Sequence, residues 1–311
     1  MQITNTVKNI LANYSAFSPG LQANLYKILM HGRTGGTGSL VILPVDQGFE
    51  HGPARSFSIN QDAYDPTYHY KLAIEAGLSA YAAPLGMLEA CADLFAGQVP
   101  TILKMNSSNS LNPKSLPYDQ AVTSSIRDAL HLGCSAVGFT IYPGSELAHS
   151  MIEEVRELVL EAKSYGIPSV IWSYPRGGDL TKEGETALDV CAYAAHVACL
   201  IGAHIVKVKL PSSHIEQKDA KKAYEGKDFN SLASRVGHVK QACFNGKRLV
   251  VFSGGASKDL EELYKEVEAI KCGGGNGSII GRNTFQRPKN DALLMLDKII
   301  ALYKSDVMAI A

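Results

Sequence analysis

His204-Ile-Val-Lys-Val-Lys-Leu-Pro211 is the stretch from which the fold of this 311-residue chain can be worked out. Its apolar residues are β-branched or aliphatic and the run ends at a proline, which favours a strand of about six residues over a helix. Side chains two residues apart in a strand point to the same side, so Lys207 and Lys209 share one face. The stretch is either an edge strand with both ammonium groups in water or a buried strand that carries two lysines.

This stretch is one copy of a unit that recurs along the chain. Each copy has an apolar strand, a polar loop, an amphipathic helix and a glycine that closes the helix. The context favours the buried strand, because apolar strands that alternate with helices form a parallel sheet covered on both faces. The closing glycines are Gly77, Gly133, Gly166 and Gly202. The predicted strands cover about 40–46, 80–84, 101–105, 136–141, 169–174, 205–210, 249–253 and 278–281.

Eight such units predict a (β/α)8 TIM barrel, a fold that takes about 250 residues. We expect a single barrel domain over residues 1–311, with an N-terminal helical extension at 1–37 and the barrel at 38–305. The alternative is a doubly wound open sheet, which would leave the glycine-rich stretch near the C-terminus without a role. Residues 212–228 are polar and lysine-rich, and form either a solvated insertion or a mobile loop over the active face.

Composition limits the classes of function. A hydrophobic content of 46% suffices for a full core, and 30 basic residues balance 30 acidic ones. The chain therefore has no overall charge that would attract nucleic acid or an anionic membrane. It contains no apolar run near the roughly 20 residues of a membrane span, and its first residues do not resemble a signal peptide. We expect a cytoplasmic protein whose six widely spaced cysteines stay reduced and form no zinc site.

The active site of such a barrel lies at the C-terminal ends of its strands. A lysine buried there near another cation has a lowered pKa and can attack a carbonyl to form a Schiff base. In that case Lys207 would bind a ketose phosphate, and Tyr174 or Asp46 would move the proton. Taken alone, Tyr174 could be a core tyrosine and Asp46 a turn cap. The other polar or aromatic residues at the strand ends include His51, Lys104, Trp172 and Arg176.

Two glycine turns near the C-terminus form a candidate phosphate site. Bare backbone N–H groups at such turns bind phosphate, and the loops after strands seven and eight of barrels commonly do so. The alternative is that both turns simply need glycine. The candidate phosphate-binding residues are Ser253, Gly254, Gly255, Gly281 and Arg282.

A metal site is a weaker interpretation of the strand ends, because His51 with Glu50 is not a cluster of metal ligands.

Five motifs, in their order along the chain, resemble those of the archaeal-type class I fructose-bisphosphate aldolases. The resemblance covers roughly residues 38–305. The motifs are Val45-Asp-Gln-Gly-Phe-Glu-His-Gly-Pro53, Trp172-Ser-Tyr-Pro-Arg176, Ile205-Val-Lys-Val-Lys209, Ser253-Gly-Gly255 and Gly281-Arg-Asn283.

The resemblance implies a lyase that reversibly splits fructose 1,6-bisphosphate into dihydroxyacetone phosphate and glyceraldehyde 3-phosphate in glycolysis and gluconeogenesis. It implies a covalent imine without a metal cofactor, and a homo-oligomer such as an octamer or decamer. By position, Lys207 matches the imine-forming lysine, Tyr174 the proton donor and acceptor, and Asp46 the carboxylate beside the imine. Lys209 would be a neighbouring cation that lowers the pKa of Lys207 or holds a phosphate. The substrate pocket is matched by His51, Trp172 and Arg176, and the phosphate site by the two glycine turns with Arg282.

Two alternatives remain at this point. One is a Schiff-base enzyme of the same family that acts on another ketose phosphate or makes an aromatic-pathway precursor. The other is a non-catalytic barrel that binds sugar phosphates and needs no reactive amine. The chain departs from the archaeal members by its N-terminal helices and by its long segment after the sixth strand, which leaves the far end of the substrate undefined.

Overall fold

The computed structural model describes residues 2–253 and 259–305. Within these ranges, eight parallel strands close into a barrel in which each strand pairs with its neighbours in sequence and the last pairs with the first. The prediction of a (β/α)8 barrel is confirmed, and the open sheet is wrong. The strands are β1 Leu40–Pro44, β2 Ala80–Pro84, β3 Thr101–Lys104, β4 Ala136–Ile141, β5 Ser169–Ser173, β6 Ile205–Lys209, β7 Leu249–Ser253 and β8 Gly277–Ile279.

Helices connect and surround the strands. The first fourteen in chain order are α1 Asn5–Ala12, α2 Pro19–Met30, α3 Gln47–His51, α4 Pro53–Phe57, α5 Pro66–Glu75, α6 Leu85–Glu89, α7 Ala92–Phe95, α8 Ile126–His131, α9 Ala148–Ser164, α10 Leu188–Leu200, α11 Lys221–Tyr224, α12 Leu232–Ala242, α13 Leu260–Cys272 and α14 Arg282–Phe285, and α15 Lys289–Lys304 follows. Single 3-10 turns lie at Gln61–Tyr64 and Gly184–Thr186, and Asn106–Ser107 pairs antiparallel with Ala121–Val122. None of the described helices is long and apolar enough to cross a membrane.

Local sequence signals account for several helix ends. The Ser18 side chain accepts a hydrogen bond from the backbone N–H of Leu21, directly before the proline that starts α2. At α8, Ser125 and Asp128 form a reciprocal capping box. The closing glycines predicted from the sequence all have positive φ, at 64° for Gly77, 64° for Gly133, 71° for Gly166 and 105° for Gly202.

Strand side chains alternate between two apolar clusters. On β6, Val206 and Val208 pack outward against the helices, whereas Ile205 belongs to the cluster inside the barrel. Because strand side chains alternate, Lys207 and Lys209 point inward with Ile205. The predicted shared face of the two lysines is therefore the barrel interior.

The N-terminal helices close one end of the barrel. The Tyr14 hydroxyl donates to the carbonyl oxygen of His204 at 2.6 Å and accepts from the backbone N–H of Leu249 at 3.0 Å, at the starts of β6 and β7. Apolar residues of α2 such as Leu25 and Ile28 are fully buried in the same cluster as the barrel interior. Since this end is covered, a substrate has to enter at the opposite, C-terminal end of the strands.

The polar segment after β6 begins as a packed insertion. The Asp189 carboxylate accepts hydrogen bonds from the backbone N–H groups of Glu216 at 3.0 Å and Gln217 at 2.9 Å. The Glu216 carboxylate in turn accepts from the backbone N–H of Thr181 at 2.9 Å and pairs with the His214 ring at 2.7 Å. These contacts fix residues 214–217 against the start of α10 and the loop after β5.

Candidate active site

Most of the predicted site residues meet at the open end of the barrel, around a cavity of about 260 Å³. Trp172 and Asp46 are buried beneath it. Gly254 and Gly255, predicted to form part of the phosphate turn, lie outside the described residues. The predicted residues that line the cavity are His51, Tyr174, Arg176, Lys207, Lys209, Ser253, Gly281 and Arg282.

Lys207 lies at the floor of this cavity. Its side chain is only 4% exposed. Its Nζ atom is 5.3 Å from the ring centroid of Trp172 and 5.3 Å from that of Tyr174. Burial lowers the pKa of Lys207 to about 8, so roughly a tenth of the amine is neutral at pH 7. A neutral amine is what attack on a carbonyl requires.

The charges around Lys207 act in both directions on its pKa. Burial has the largest effect and lowers the pKa. The smaller effects follow in order of size: the Asp46 carboxylate raises the pKa, the Lys104 ammonium lowers it, Glu50 raises it and Arg282 lowers it. The sequence suggested Lys209 as the neighbouring cation. In the structure that position is taken by Lys104, a residue of β3 far away in sequence.

Asp46 follows β1 and directly precedes α3. Its side chain makes no capping hydrogen bond to that helix, so it is not the turn cap that the sequence allowed. Among the described residues its Oδ1 atom is buried without a hydrogen-bond partner. A buried carboxylate oxygen without a protein partner can accept a hydrogen bond or a proton from a bound substrate.

Tyr174 follows β5 and faces the same cavity. Burial raises its pKa well above the ordinary value of 10.0, and the carboxylates of Asp46 and Glu50 raise it further. Its phenol is therefore protonated at neutral pH. Its hydrogen bond with Ser253 opposes this rise in pKa and joins Tyr174 to the end of β7.

Trp172 owes its position to a glycine on the neighbouring strand. A Cβ atom at Gly138 would lie 2.5 Å from Cζ3 of the Trp172 ring, which is closer than any side chain could tolerate. The edge of the indole therefore fits against Gly138 of β4, and the ring lies next to the amine of Lys207. Gly138 has no signal of its own in the sequence, because the need for a glycine there arises only when β4 and β5 pair.

Arg176, Glu50 and His51 form a charged group at the rim. The Arg176 guanidinium lies 3.4 Å from Glu50 Oε1 and 5.1 Å from the ring centroid of Tyr142. The His51 Nε2 atom is 3.9 Å from Glu50 Oε2. Burial lowers the pKa of His51, which favours its neutral form. Arg176 thus presents a positive charge that a tyrosine ring and one carboxylate hold in place.

Lys209 lies above Lys207 and is engaged in an ion pair. Its Nζ atom donates to Glu185 Oε2 at 2.8 Å, and Lys182 Nζ lies 3.1 Å from the same carboxylate. Burial raises the pKa of Glu185, but the hydrogen bond and charge of Lys209 and then those of Lys182 hold it below its ordinary value. Glu185 is a further residue of the rim that sequence reasoning missed.

Lys104 is the other residue that sequence reasoning left without a role. It ends β3, its side chain is 3% exposed, and its Nζ atom is 5.8 Å from the Trp172 centroid. Burial lowers its pKa to about 8, and Asp46 and then Glu50 oppose this change. The signal was available, since Thr101–Lys104 is an apolar strand that carries a lysine, and β6 is an apolar strand that carries two.

The described residues contain no group of three or more His, Cys, Asp or Glu side chains that could hold a metal ion. The six cysteines are free thiols, five of them buried and Cys272 exposed.

The comparison with known proteins shows the family. The sequence model of the DeoC/LacD family aldolases matches residues 40–287. The chain belongs to this aldolase family. It is therefore an enzyme, a carbon–carbon lyase, and the resemblance found in its motifs is confirmed.

Curated aldolases match over most of the chain. A probable fructose-bisphosphate aldolase class 1 of Chlamydia muridarum is 35% identical over 303 residues, which are 93% of this chain and 86% of that protein. The fructose-bisphosphate aldolase class 1 of Thermoproteus tenax is 38% identical over 257 residues, which are 82% of this chain and 86% of that protein.

Solved aldolase structures share the fold. An archaeal fructose 1,6-bisphosphate aldolase superposes with a TM-score of 0.73 at 32% identity, covering 97% of this chain and 100% of that one. A second archaeal structure, described with its catalytic lysine covalently bound to the carbinolamine intermediate of the substrate, gives a TM-score of 0.72 at 31% identity. It covers 96% of this chain and 99% of that one.

Proposed function

We propose that this aldolase is a class I fructose-bisphosphate aldolase that uses Lys207 to form the imine. It reversibly cleaves fructose 1,6-bisphosphate to dihydroxyacetone phosphate and glyceraldehyde 3-phosphate. The observation that carries the proposal is the buried amine of Lys207, with its lowered pKa, at the floor of the strand-end cavity. The names of the related proteins and the covalent lysine of one structural neighbour support it.

The first half of the reaction joins substrate and enzyme. The neutral amine of Lys207 attacks the C2 carbonyl of the open-chain sugar and gives a carbinolamine. The carbinolamine hydroxyl then takes up a proton from solvent and leaves as water, which gives a protonated imine. The Asp46 carboxylate, beside the imine, stabilises its positive charge. Trp172 supports the nitrogen from below and excludes water from that side.

The second half breaks the bond between C3 and C4. The bonding electrons flow into the imine to give an enamine, and the C4 hydroxyl gives up its proton as the aldehyde forms. We assign this transfer to Tyr174, which accepts that proton while it passes its own to Asp46. Tyr174 then protonates C3 of the enamine and recovers its proton from Asp46, and water hydrolyses the imine to release the ketone.

The substrate carries a phosphate at each end. We assign one phosphate to Ser253, Gly281 and Arg282, together with Gly254 and Gly255 of the same predicted turns. We assign the binding of the phosphate at the other end to Arg176, His51 and Lys209 at the rim. Arg176 supplies a fixed charge for it, whereas Lys209 has to exchange Glu185 for the phosphate.

Several broader proposals accompany this function. Because the imine is the electron sink, we propose that the enzyme needs no metal. We also propose that it is cytoplasmic. The helical extension at 1–37 and the barrel at 38–305 form a single domain over 1–311, which the shared core of α2 and the barrel supports. We also propose a homo-oligomer such as an octamer or decamer. The resemblance of the five motifs to the archaeal-type aldolases supports self-association.

A cleavage assay tests the proposed activity. The protein should cleave fructose 1,6-bisphosphate at the same rate with and without EDTA, and Lys207→Met should lower the rate by about 10³-fold or more. The matched variant Lys209→Met keeps the imine-forming amine and should retain catalysis. Cleavage that survives in Lys207→Met, or that EDTA abolishes, would contradict the proposal.

A second candidate is a family member that acts on another ketose phosphate. It is favoured by a 32% identical relative over 275 residues, from Methanocaldococcus jannaschii, that is named both fructose-bisphosphate aldolase and 6-deoxy-5-ketofructose 1-phosphate synthase. A panel of ketose phosphates compared by kcat/KM separates the two candidates. A tenfold or greater preference for a sugar other than fructose 1,6-bisphosphate would favour the second one.

A further inference from the structure

We propose that Lys104 is a positioning residue of the aldol reaction, whose buried ammonium, held by Asn106 beside Trp172, increases the neutral, nucleophilic fraction of the Lys207 amine. The inference rests on the proposed function, because Lys207 has to be the imine-forming residue. Lys104 has no role in the reaction steps described above.

Lys104 is held tightly in place. Its Nζ atom donates to both the backbone carbonyl oxygen and the side-chain Oδ1 of Asn106, the latter at 3.2 Å. The Asn106 side chain is itself fixed to β4, because its Nδ2 donates to the carbonyl oxygen of Thr140 at 2.9 Å and its Oδ1 accepts from the Thr140 N–H at 2.7 Å. An amine with two carbonyl acceptors is stabilised in its ammonium form. The charge of Lys104 is therefore anchored.

Lys104 and Lys207 approach each other across the barrel interior. They lie on β3 and β6, which are not neighbours in the sheet. Both amines lie near one indole, with Nζ atoms 5.8 Å and 5.3 Å from the Trp172 centroid. Two ammonium groups that share a site shielded from water repel each other, so one of them gives up its proton more easily.

The two amines differ in their surroundings, and this difference determines which of them loses its proton more easily. Lys104 has its two carbonyl partners, whereas Lys207 faces the cavity where the substrate binds. Lys209, the nearest lysine along the strand, is already paired with Glu185. The charged and titratable groups that face Lys207 are Asp46, Glu50, Lys104, Tyr174 and Arg282, and Lys104 is the first cation among the causes that lower its pKa.

The test measures imine formation as a function of pH. Wild-type enzyme and the variants Lys104→Met and Lys104→Gln are mixed with fructose 1,6-bisphosphate and cyanoborohydride, and the rate at which Lys207 is reductively modified is followed by peptide mass mapping. The removal of a like charge should move the midpoint of the profile to higher pH, and a midpoint that is about one pH unit higher lowers the rate at pH 7 about tenfold. The rate should recover at alkaline pH, which a merely structural defect would not allow.

A second buried lysine provides the control. Lys240 lies at the other end of the barrel, where its Nζ donates to the carbonyl oxygen of Arg248 at 3.0 Å and to the side chain of Asn276. Burial lowers the pKa of Lys240 to about 8 as well. Lys240→Met should leave the pH profile of Lys207 unchanged. A profile that moves equally in Lys240→Met would overturn the proposal.

The remaining outcomes are also decisive. An unchanged profile in folded Lys104 variants overturns the proposal. If circular dichroism shows that those variants do not fold, Asn106→Asp takes their place, since a carboxylate beside Lys104 offsets its charge and should move the profile in the same direction. An unchanged profile there overturns the proposal too. A wild-type enzyme that gives no adduct on Lys207 overturns the proposed function itself, and the inference with it.

Discussion

The two ends of the barrel both contain buried polar side chains, but the surroundings of these side chains differ. At the closed end, the Tyr14 hydroxyl bonds to two backbone groups, and the Lys240 amine donates to Arg248 and Asn276. At the open end, the Asp46 Oδ1 atom is buried without a hydrogen-bond partner among the described residues, and the Lys207 amine faces a cavity. Buried polar groups are normally satisfied within the protein. Unpaired buried atoms also occur at the closed end, His204 Nε2 and Arg248 Nε among them, so it is the cavity next to Lys207 that marks the open end as built for a ligand.

The two tyrosines should give the largest contrast. Tyr174→Phe should lower kcat by about 10²–10⁴-fold, the usual contribution of general acid–base catalysis, with little change in Tm. Tyr14→Phe should lower the free energy of unfolding by about 1–3 kcal/mol, because it leaves two buried backbone groups unpaired. Steady-state kinetics and urea unfolding of both variants check this. A Tyr174→Phe enzyme with wild-type kcat would contradict the role of Tyr174 in catalysis and, with it, the difference between the two tyrosines.

Asp46→Asn should have the next largest effect. The substitution keeps the shape of the side chain but removes the charge that stabilises the imine and the acceptor for the proton of Tyr174. We expect kcat to fall about 10²-fold and the protein to stay folded. The pKa of Lys207 should also fall, because Asp46 raises it. The pH profile of kcat/KM measures that change, and a profile that moves to higher pH would contradict it.

The two buried lysines should differ in stability. The pKa of Lys207 is lowered from 10.5 to about 8, so between these values the unfolded chain binds more protons and stability rises with pH. The cost of burying the ammonium is fully present below pH 8. Lys207→Met should therefore raise the free energy of unfolding at pH 7 by about 1–3 kcal/mol, and by less at pH 10.

Lys240→Met is the matched comparison for this prediction. Its amine has the same lowered pKa of about 8 but satisfies two oxygen acceptors, which the substitution would leave unpaired. We expect a smaller gain in stability than for Lys207→Met, or a loss. Urea unfolding of both variants at pH 7 and 10 measures the difference, and a larger gain for Lys240→Met would contradict the comparison.

The smallest expected effect belongs to the rim. Lys209→Met removes an ion pair with Glu185 and one cation for the substrate's phosphate, while Lys207 keeps its surroundings. KM should rise about three- to tenfold with kcat within a factor of two or three. A loss of kcat comparable to that of Lys207→Met would mean that the roles of the two lysines were assigned in the wrong order.

The sequence allowed much of the fold to be predicted because its signals are local. Apolar strands, amphipathic helices and closing glycines such as Gly133 each depend on a few adjacent residues. Three of the predicted strands match the structure at both ends, and the others differ by one or two residues; the first strand ends at Pro44, before Asp46 and the start of α3. The two N-terminal helices were also predicted, although their closure of the barrel was not.

The site could be predicted only in part, because its missing pieces depend on contacts across the barrel. Lys104 gains its importance from Lys207, which is distant in sequence and on a strand that is not a neighbour. The pairing of Lys209 with Glu185 likewise depends on how the loop after β5 folds back over the rim. Periodicity and motifs carry no information on such distances.

The most direct test of the central claim is to trap the imine. The protein is incubated with fructose 1,6-bisphosphate and borohydride, digested, and mapped by mass spectrometry. The account predicts a reduced sugar-phosphate adduct on Lys207, with none on Lys104, Lys209 or Lys240. An adduct on another lysine, or cleavage of the sugar with no adduct at all, would contradict it.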